Sequence, residues 1–213
     1  DFKRSEKICN LMNFFLSPIF VRYYNPKLIH ATNYSLLQYD KLKAKKIITV
    51  HDMIHELFPK EFLNDNITKL KREAVQKADH IICVSHNTQK DLIKIFNVDI
   101  NKTSVIHHGL NLLEHKNQRI KLFDRPYILY VGKRKGYKNF LKLIEVFALT
   151  KIYNSFDLVV FGSENFNKQE LIKINDLKIP KKTIKFIYGD DTLLADCYKN
   201  ANLFVYPSLY EGF

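Results

Sequence analysis

The sequence predicts a doubly wound, parallel α/β architecture in two halves, and three observations carry that prediction. Short apolar, β-rich runs alternate with helical patterns along the chain, which is the signature of parallel sheets whose crossovers are helices. A polar group or a glycine follows each of those runs. A polar stretch without periodicity, Asn111–Arg125, closes on Arg125-Pro126 and separates the halves. We therefore expect Rossmann-like domains over 1–115 and 122–213.

In chain order, the expected strands of the first half are Lys27–His30, Lys46–Val50, His80–Val84 and Thr103–Ile106, with helices over Ile67–Ala78 and Thr88–Phe96. The second half carries strands over Tyr127–Val131, Asp157–Phe161, Thr183–Ile187 and Asn202–Tyr206, with helices over Asn139–Leu149, Lys168–Leu177 and Leu193–Lys199. Tyr127–Val131 is uniformly apolar rather than alternating, so it reads as a strand buried on both faces. Phe140, Leu143, Ile144 and Phe147 fall on one stripe of the helix that follows. Near the start, Ile8–Val21 reads as an amphipathic core helix, membrane-surface contact being the sharper alternative.

Composition bounds the function. The chain is globular, with 46% hydrophobic residues, and its net charge is +12 from 34 Lys+Arg against 22 Asp+Glu. That excess is spread along the chain and favours polyanionic partners: phosphorylated small molecules, an anionic membrane face or nucleic acid. Cys9, Cys83 and Cys197 are isolated and odd in number, which suits a reducing compartment and core thiols. No run approaches the roughly 18 apolar residues that a membrane span needs.

The polar residues gather after the strands: Ala31–Tyr34, His51-Asp52, Ser85-His86-Asn87, His107-His108-Gly109, Gly132–Asn139, Gly162-Ser163-Glu164, Tyr188–Asp191 and Pro207–Phe213. Open α/β sheets bind ligands outside the carboxyl ends of their strands, so this distribution implies a cleft enzyme. In Tyr127–Phe140 a strand, a glycine-bracketed Lys133-Arg134-Lys135 turn and a helix start form a candidate anion site, because cations and helix amides point to one place. It is neither a Walker loop nor a dinucleotide turn. A solvated basic turn is the plainer alternative. His51 and His55 have the four-residue spacing of a zinc helix, but His51 ends a strand, so we expect a ligand hydrogen bond rather than a metal. Ser85 or Asn87 is expected as a helix N-cap. There is no Asp-x-Asp, and Asp190-Asp191 is adjacent rather than spaced, so no metal site is expected.

Taken together, His30-Ala-Thr-Asn-Tyr34, Thr49-Val-His-Asp52, Ala78-Asp-His-Ile-Ile-Cys-Val-Ser85, Val105-Ile-His-His-Gly109, Leu129-Tyr-Val-Gly-Lys-Arg-Lys-Gly-Tyr-Lys-Asn139 and Val205-Tyr-Pro-Ser-Leu-Tyr-Glu-Gly-Phe213 resemble the family-4 retaining glycosyltransferases of the GT-B fold, especially bacterial mannosyltransferase-like members. The resemblance covers the chain from about residue 27 and implies two facing Rossmann-like domains, both incomplete at the chain ends. It implies that the first half receives the acceptor and the second binds a nucleotide diphosphate sugar, GDP- or UDP-linked. Arg134 and Lys138 match the basic pair on the donor diphosphate, and Lys133 stands beside them as an alternative first cation. His51 matches a contact to the transferring sugar. Glu211 matches the first glutamate of the E-x7-E motif, which Gly212 and Phe213 continue. Gly132, Gly162, Ser163, Tyr188, Gly212 and Phe213 are expected around the donor.

The resemblance further implies metal-independent hexosyl transfer, without a cofactor, to a glycan or lipid-linked glycan hydroxyl in polysaccharide or lipopolysaccharide synthesis. The enzyme is expected to be cytoplasmic, peripheral at the anionic inner membrane face, and not to bind nucleic acid. The chain starts inside the first domain and stops inside the E-x7-E motif, so we expect a piece of a longer enzyme. The rival reading is a non-catalytic nucleotide- or nucleic-acid-binding α/β module, which shares the basic balance but lacks a concentrated Lys/Arg stripe.

Overall fold

A computed structural model describes residue 12 and residues 15–34, 42–109 and 122–213. Cys9, most of the Asn111–Arg125 boundary and the first part of Ile8–Val21 lie outside these residues. The chain divides into two compact units, Asp1–Gly109 together with Glu211–Phe213, and Leu110–Tyr210. Among the described residues each contains one four-stranded parallel sheet.

In the first unit the sheet runs β1 (Leu28–Ala31), β2 (Lys45–Val50), β3 (His80–Cys83), β4 (Thr103–Val105), in that spatial order. Side chains alternate across a strand. Ile48 and Val50 of β2 and Ile81 and Cys83 of β3 therefore point to one face, where they pack with Ala74, Val75 and Leu92. Those partners come from α3 (Ile67–Lys77) and α4 (His86–Phe96). A one-turn helix α2 (Ile54–Leu57), not anticipated from the sequence, lies just past β2. Residues 15–24 form helix α1. Its Phe15, Ile19, Phe20, Tyr23 and Tyr24 are all more than half exposed. Over its described residues α1 is therefore not the core helix that its hydrophobicity suggested.

The second unit orders its strands β7 (Ile184–Ile187), β6 (Asp157–Phe161), β5 (Tyr127–Val131), β8 (Leu203–Phe204). The order reverses at β5, because β6 lies on one side of it and β8 on the other. That reversal makes the space past β5 and β8 a topological switch point, where such sheets bind ligands. β5 and β6 are buried along almost their whole length, as uniformly apolar strands must be. Ile128, Tyr130, Leu158 and Val160 pack with Phe140, Ile144 and Phe147 of α5 (Phe140–Leu149) and with Ile174 of α6 (Lys168–Asp176). Tyr127, Leu129, Val159 and Phe161 face the other way onto Cys197 of α7 (Asp191–Asn200), with Leu193 and Leu194 beside them. Helices thus cover both faces, as a doubly wound sheet requires.

Candidate active site

The carboxyl edge of each sheet carries its own group of polar residues. In the second unit the loop after β5 must turn sharply, and Gly132 adopts φ +113, a conformation that side chains disfavour. Its amide donates to Phe161 O at 2.9 Å, and Tyr130 Oη donates to Lys133 O at 2.5 Å. The loop is thereby tied to the ends of β5 and β6. A 3₁₀ turn, Gly136–Lys138, and a left-handed Asn139 then deliver the chain to α5, which starts at Phe140 without a side-chain cap.

The three cations named from the sequence have different environments. Lys133 is exposed. Lys138 Nζ donates to Tyr206 Oη at 2.5 Å and lies over the Tyr206 and Tyr137 rings, 4.7 and 5.1 Å from their centroids. Asn139 Nδ2 donates to Pro207 O at 3.2 Å, and Leu209 N donates to Tyr137 O at 2.8 Å. The segment after β8 is thus bound to the basic loop, and Lys138 sits at the switch point.

Arg134 corrects an expectation. A solvated basic turn would leave it exposed, yet Arg134 is buried. Its Nε donates to Glu170 Oε1 at 2.9 Å, its Nη2 donates to Asn165 O at 2.7 Å, and the rings of Phe140, Phe166 and Phe186 surround it. Its Nη1 faces Gly162, 3.5 Å from where a Cβ there would stand. Its Nε and Nη2 are therefore committed to Glu170 and Asn165. Glu170 also closes the N-terminal capping box of α6 with Asn167. The Asn-x-x-Glu spacing before an apolar run was a readable sign of that role. A cavity of about 440 Å³ lies between the starts of α5 and α6, lined by Arg134, Lys135, Asn139, Asn167 and Glu170 among others. Ser163 and Tyr188 are exposed at the ends of β6 and β7.

The first unit brings together His51 and Glu211–Phe213. The His51 ring stacks on His108 at 5.6 Å, and Phe213 stands 5.3 Å from His108 and 5.8 Å from His107. His51 Nε2 lies 3.3 Å from Thr32 O. Gly212 is pressed against the same loop: a Cβ there would be 2.1 Å from His51 O and 2.6 Å from Asp52 Cβ. Only glycine fits.

Beneath that loop is a buried cation that the sequence reading passed over. Lys71 Nζ donates to Asp52 O at 2.9 Å and pairs with Glu56 at 2.7 Å. Lys71 shares the buried stripe of α3 with Ala74 and Val75, and a lysine in that register was the available signal. Burial, followed by the charges of Asp52 and Glu56, holds the Tyr34 hydroxyl well above the usual tyrosine range. His55 instead meets Asp65 at 3.4 Å and the Phe62 ring at 4.1 Å, so it does not converge with His51. Asp190 caps α7 through Leu193 N at 3.0 Å, and Ser85 caps α4 through Thr88 N at 3.1 Å. Among the described residues no three His, Cys, Asp or Glu side chains are grouped to hold a metal ion.

Two parallel-sheet α/β units with a basic loop at the switch point of one have the GT-B fold. The chain belongs to glycosyltransferase family 4: residues 5–113 match the model described as Glycosyltransferase Family 4, and residues 113–213 match Glycosyl transferases group 1. It is 26% identical over 200 residues to the O-antigen chain mannosyltransferase RfbU of Salmonella typhimurium, covering 92% of this chain and 53% of that protein. It is 23% identical over 208 residues to the O-antigen chain mannosyltransferase B of Escherichia coli, covering 91% and 54%. The chain thus spans about half the length of these curated relatives. Among solved structures it is similar in fold to S. aureus TarM (TM-score 0.69, 19% identity, 94% of this chain and 41% of that one). It is likewise similar to Anabaena HepE in complex with UDP and glucose (TM-score 0.69, 18% identity, 95% and 59%).

Proposed function

We propose that the protein transfers a hexose, mannose being the first candidate, from a nucleotide diphosphate sugar to a hydroxyl of a glycan or lipid-linked glycan. The carrying observation is the placement of Lys138 at the β5/β8 switch point, where Tyr206 and Tyr137 hold its ammonium. The second unit is the donor side, with Lys138 and Lys133 on the diphosphate, Arg134 holding their loop from within through Glu170, and Gly132, Gly162, Ser163 and Tyr188 around the donor. The first unit is the acceptor side, where His51 and Glu211 contact the transferring sugar and Gly212 and Phe213 continue that contact. The bond from the anomeric carbon to the diphosphate oxygen breaks. The acceptor oxygen bonds to that carbon on the same face, and its proton passes to the departing oxygen. Cations fixed beforehand stabilise the charge that develops on the diphosphate.

No metal ion and no cofactor is assigned to the reaction. The mannosyltransferase names of the relatives support the sugar. A further relative, from Campylobacter jejuni, is named as acting on a diphospho-undecaprenol-linked sugar, which supports a lipid-linked acceptor. The net charge of +12 suits the anionic cytoplasmic face of a membrane.

The test is a thermal-shift panel of UDP, GDP, ADP and dTDP on the enzyme expressed from its own gene, followed by turnover with the matching sugar donors. A ligand that binds only the folded state raises its stability with concentration. We expect GDP or UDP to stabilise and transfer to persist in EDTA. Loss of transfer on chelation with recovery in manganese would overturn the metal-free mechanism. DNA binding with a steep salt slope and no nucleotide response would overturn the enzyme reading.

A further inference from the structure

We propose that the start of α4 is a seat for the glutamate-bearing segment, with Ser85, Asn87 and Thr88 acting as positioning residues for Glu211 and His51. The inference rests on the transferase reading above and adds residues to it.

Three side chains converge on two consecutive carbonyls. Thr88 Oγ1 donates to Gly212 O at 2.6 Å, and Ser85 Oγ donates to the same oxygen. Asn87 Nδ2 donates to Glu211 O at 3.0 Å. Ser85 Oγ simultaneously accepts from Thr88 N, so its proton is directed outward to Gly212 while its lone pair caps the helix. Ser85 and Thr88 are both buried. A buried carbonyl must be satisfied, and here both donors to Gly212 O come from one helix end.

The opposite side of the segment is equally constrained. Gly212 has no room for a Cβ against His51 O and Asp52. Thr88 Oγ1 also lies 3.4 Å from His51 O, so one threonine borders both the segment and the histidine loop. That loop is braced from behind by Lys71 through Asp52 O. The backbone of residues 211–212 is therefore gripped between the α4 start and the loop after β2. That grip sets where the Glu211 side chain departs relative to the His51 ring. N-capping alone explains the contact of Ser85 with Thr88 N, but not three donors facing residues more than 120 positions away in sequence.

The test uses the enzyme expressed from its own gene and two readouts: hydrogen exchange of a peptide covering 205–213, and kcat separated from the donor KM. Thr88→Val keeps the shape and removes the donor, Thr88→Ser restores it, and Gln89→Ala is the control on the same helix. Gln89 bonds Thr103 instead. We expect Thr88→Val to speed exchange of that peptide and to lower kcat. The loss should reach about 10²-fold, the cost of a misplacement near 1 Å. Donor KM should stay near wild type, Thr88→Ser should recover both readouts, and Gln89→Ala should change neither. Asn87→Ala, on an exposed residue, should shift both readouts in the same direction, and it serves if Thr88→Val does not fold. Unchanged exchange in Thr88→Val and Asn87→Ala overturns the seat. Faster exchange with undiminished kcat overturns its positioning role. Faster exchange in an enzyme whose wild type transfers no sugar upholds the seat and sinks the transferase reading.

Discussion

Arg134 and Lys138 are four residues apart in one loop, yet their substitution should fail for different reasons. Arg134 and Glu170 form an ion pair with side chains 5% and 3% exposed. Removing one partner of such a pair leaves the other charge buried, at a cost of about 3–5 kcal/mol. Arg134→Ala should therefore lower the melting temperature sharply and lose activity through unfolding, so it cannot report on the diphosphate. Lys138→Ala is the informative variant. We expect stability near wild type and kcat/KM reduced by about 10²–10³, the effect of losing one preorganised donor. Lys135→Ala, the same charge on an exposed side chain, should leave kcat/KM near wild type. Equal losses at Lys135 and Lys138 would make the effect diffuse electrostatics.

At the scale of the elements, the strands hold groups whose titration reports on packing. Burial pushes the Cys83 thiol of β3 and the Cys197 thiol of α7 up to about 11. Both should resist iodoacetamide in the native protein at pH 8 and react once it unfolds, because the thiolate is the nucleophile. Rapid native labelling of either would contradict its burial. Where β2 begins, Asp79 accepts from Lys46 N at 2.8 Å and from Lys45 Nζ at 3.0 Å. The backbone bond first, then Lys45, holds its carboxyl below the usual range. A depressed carboxylate stabilises the fold above its unfolded pKa, and that contribution disappears as pH falls through the folded value. Asp79→Asn should thus be less stable than wild type at pH 7, with a shallower loss of stability on acidification. Parallel acid profiles for the two proteins would remove Asp79 from that role.

For the molecule as a whole, alternating apolar strands and periodic helices fixed the α/β class, because burial on two faces demands uniformly apolar strands such as Tyr127–Val131. Local rules were legible too: a cap was expected at Ser85 or Asn87, and Ser85 supplies it. Helix ends obey short-range hydrogen bonding, so a few residues suffice to read them. What sequence alone left open was which charges meet. Glu170 follows Arg134 by 36 positions and Tyr206 follows Lys138 by 68. Gly212 finds Ser85 and Thr88 across more than 120. Such pairs carry no local spacing signal. The first two arise because the parallel strands of one sheet bring their carboxyl ends to one edge whatever their separation in sequence, and the crossover that places β8 beside β5 selects which loops become neighbours. The residue types present at that edge were determined by the sequence. Whether a given cation faces a ligand, as Lys138 does in our reading, or is neutralised inside the protein, as Arg134 is, was decided by the tertiary structure.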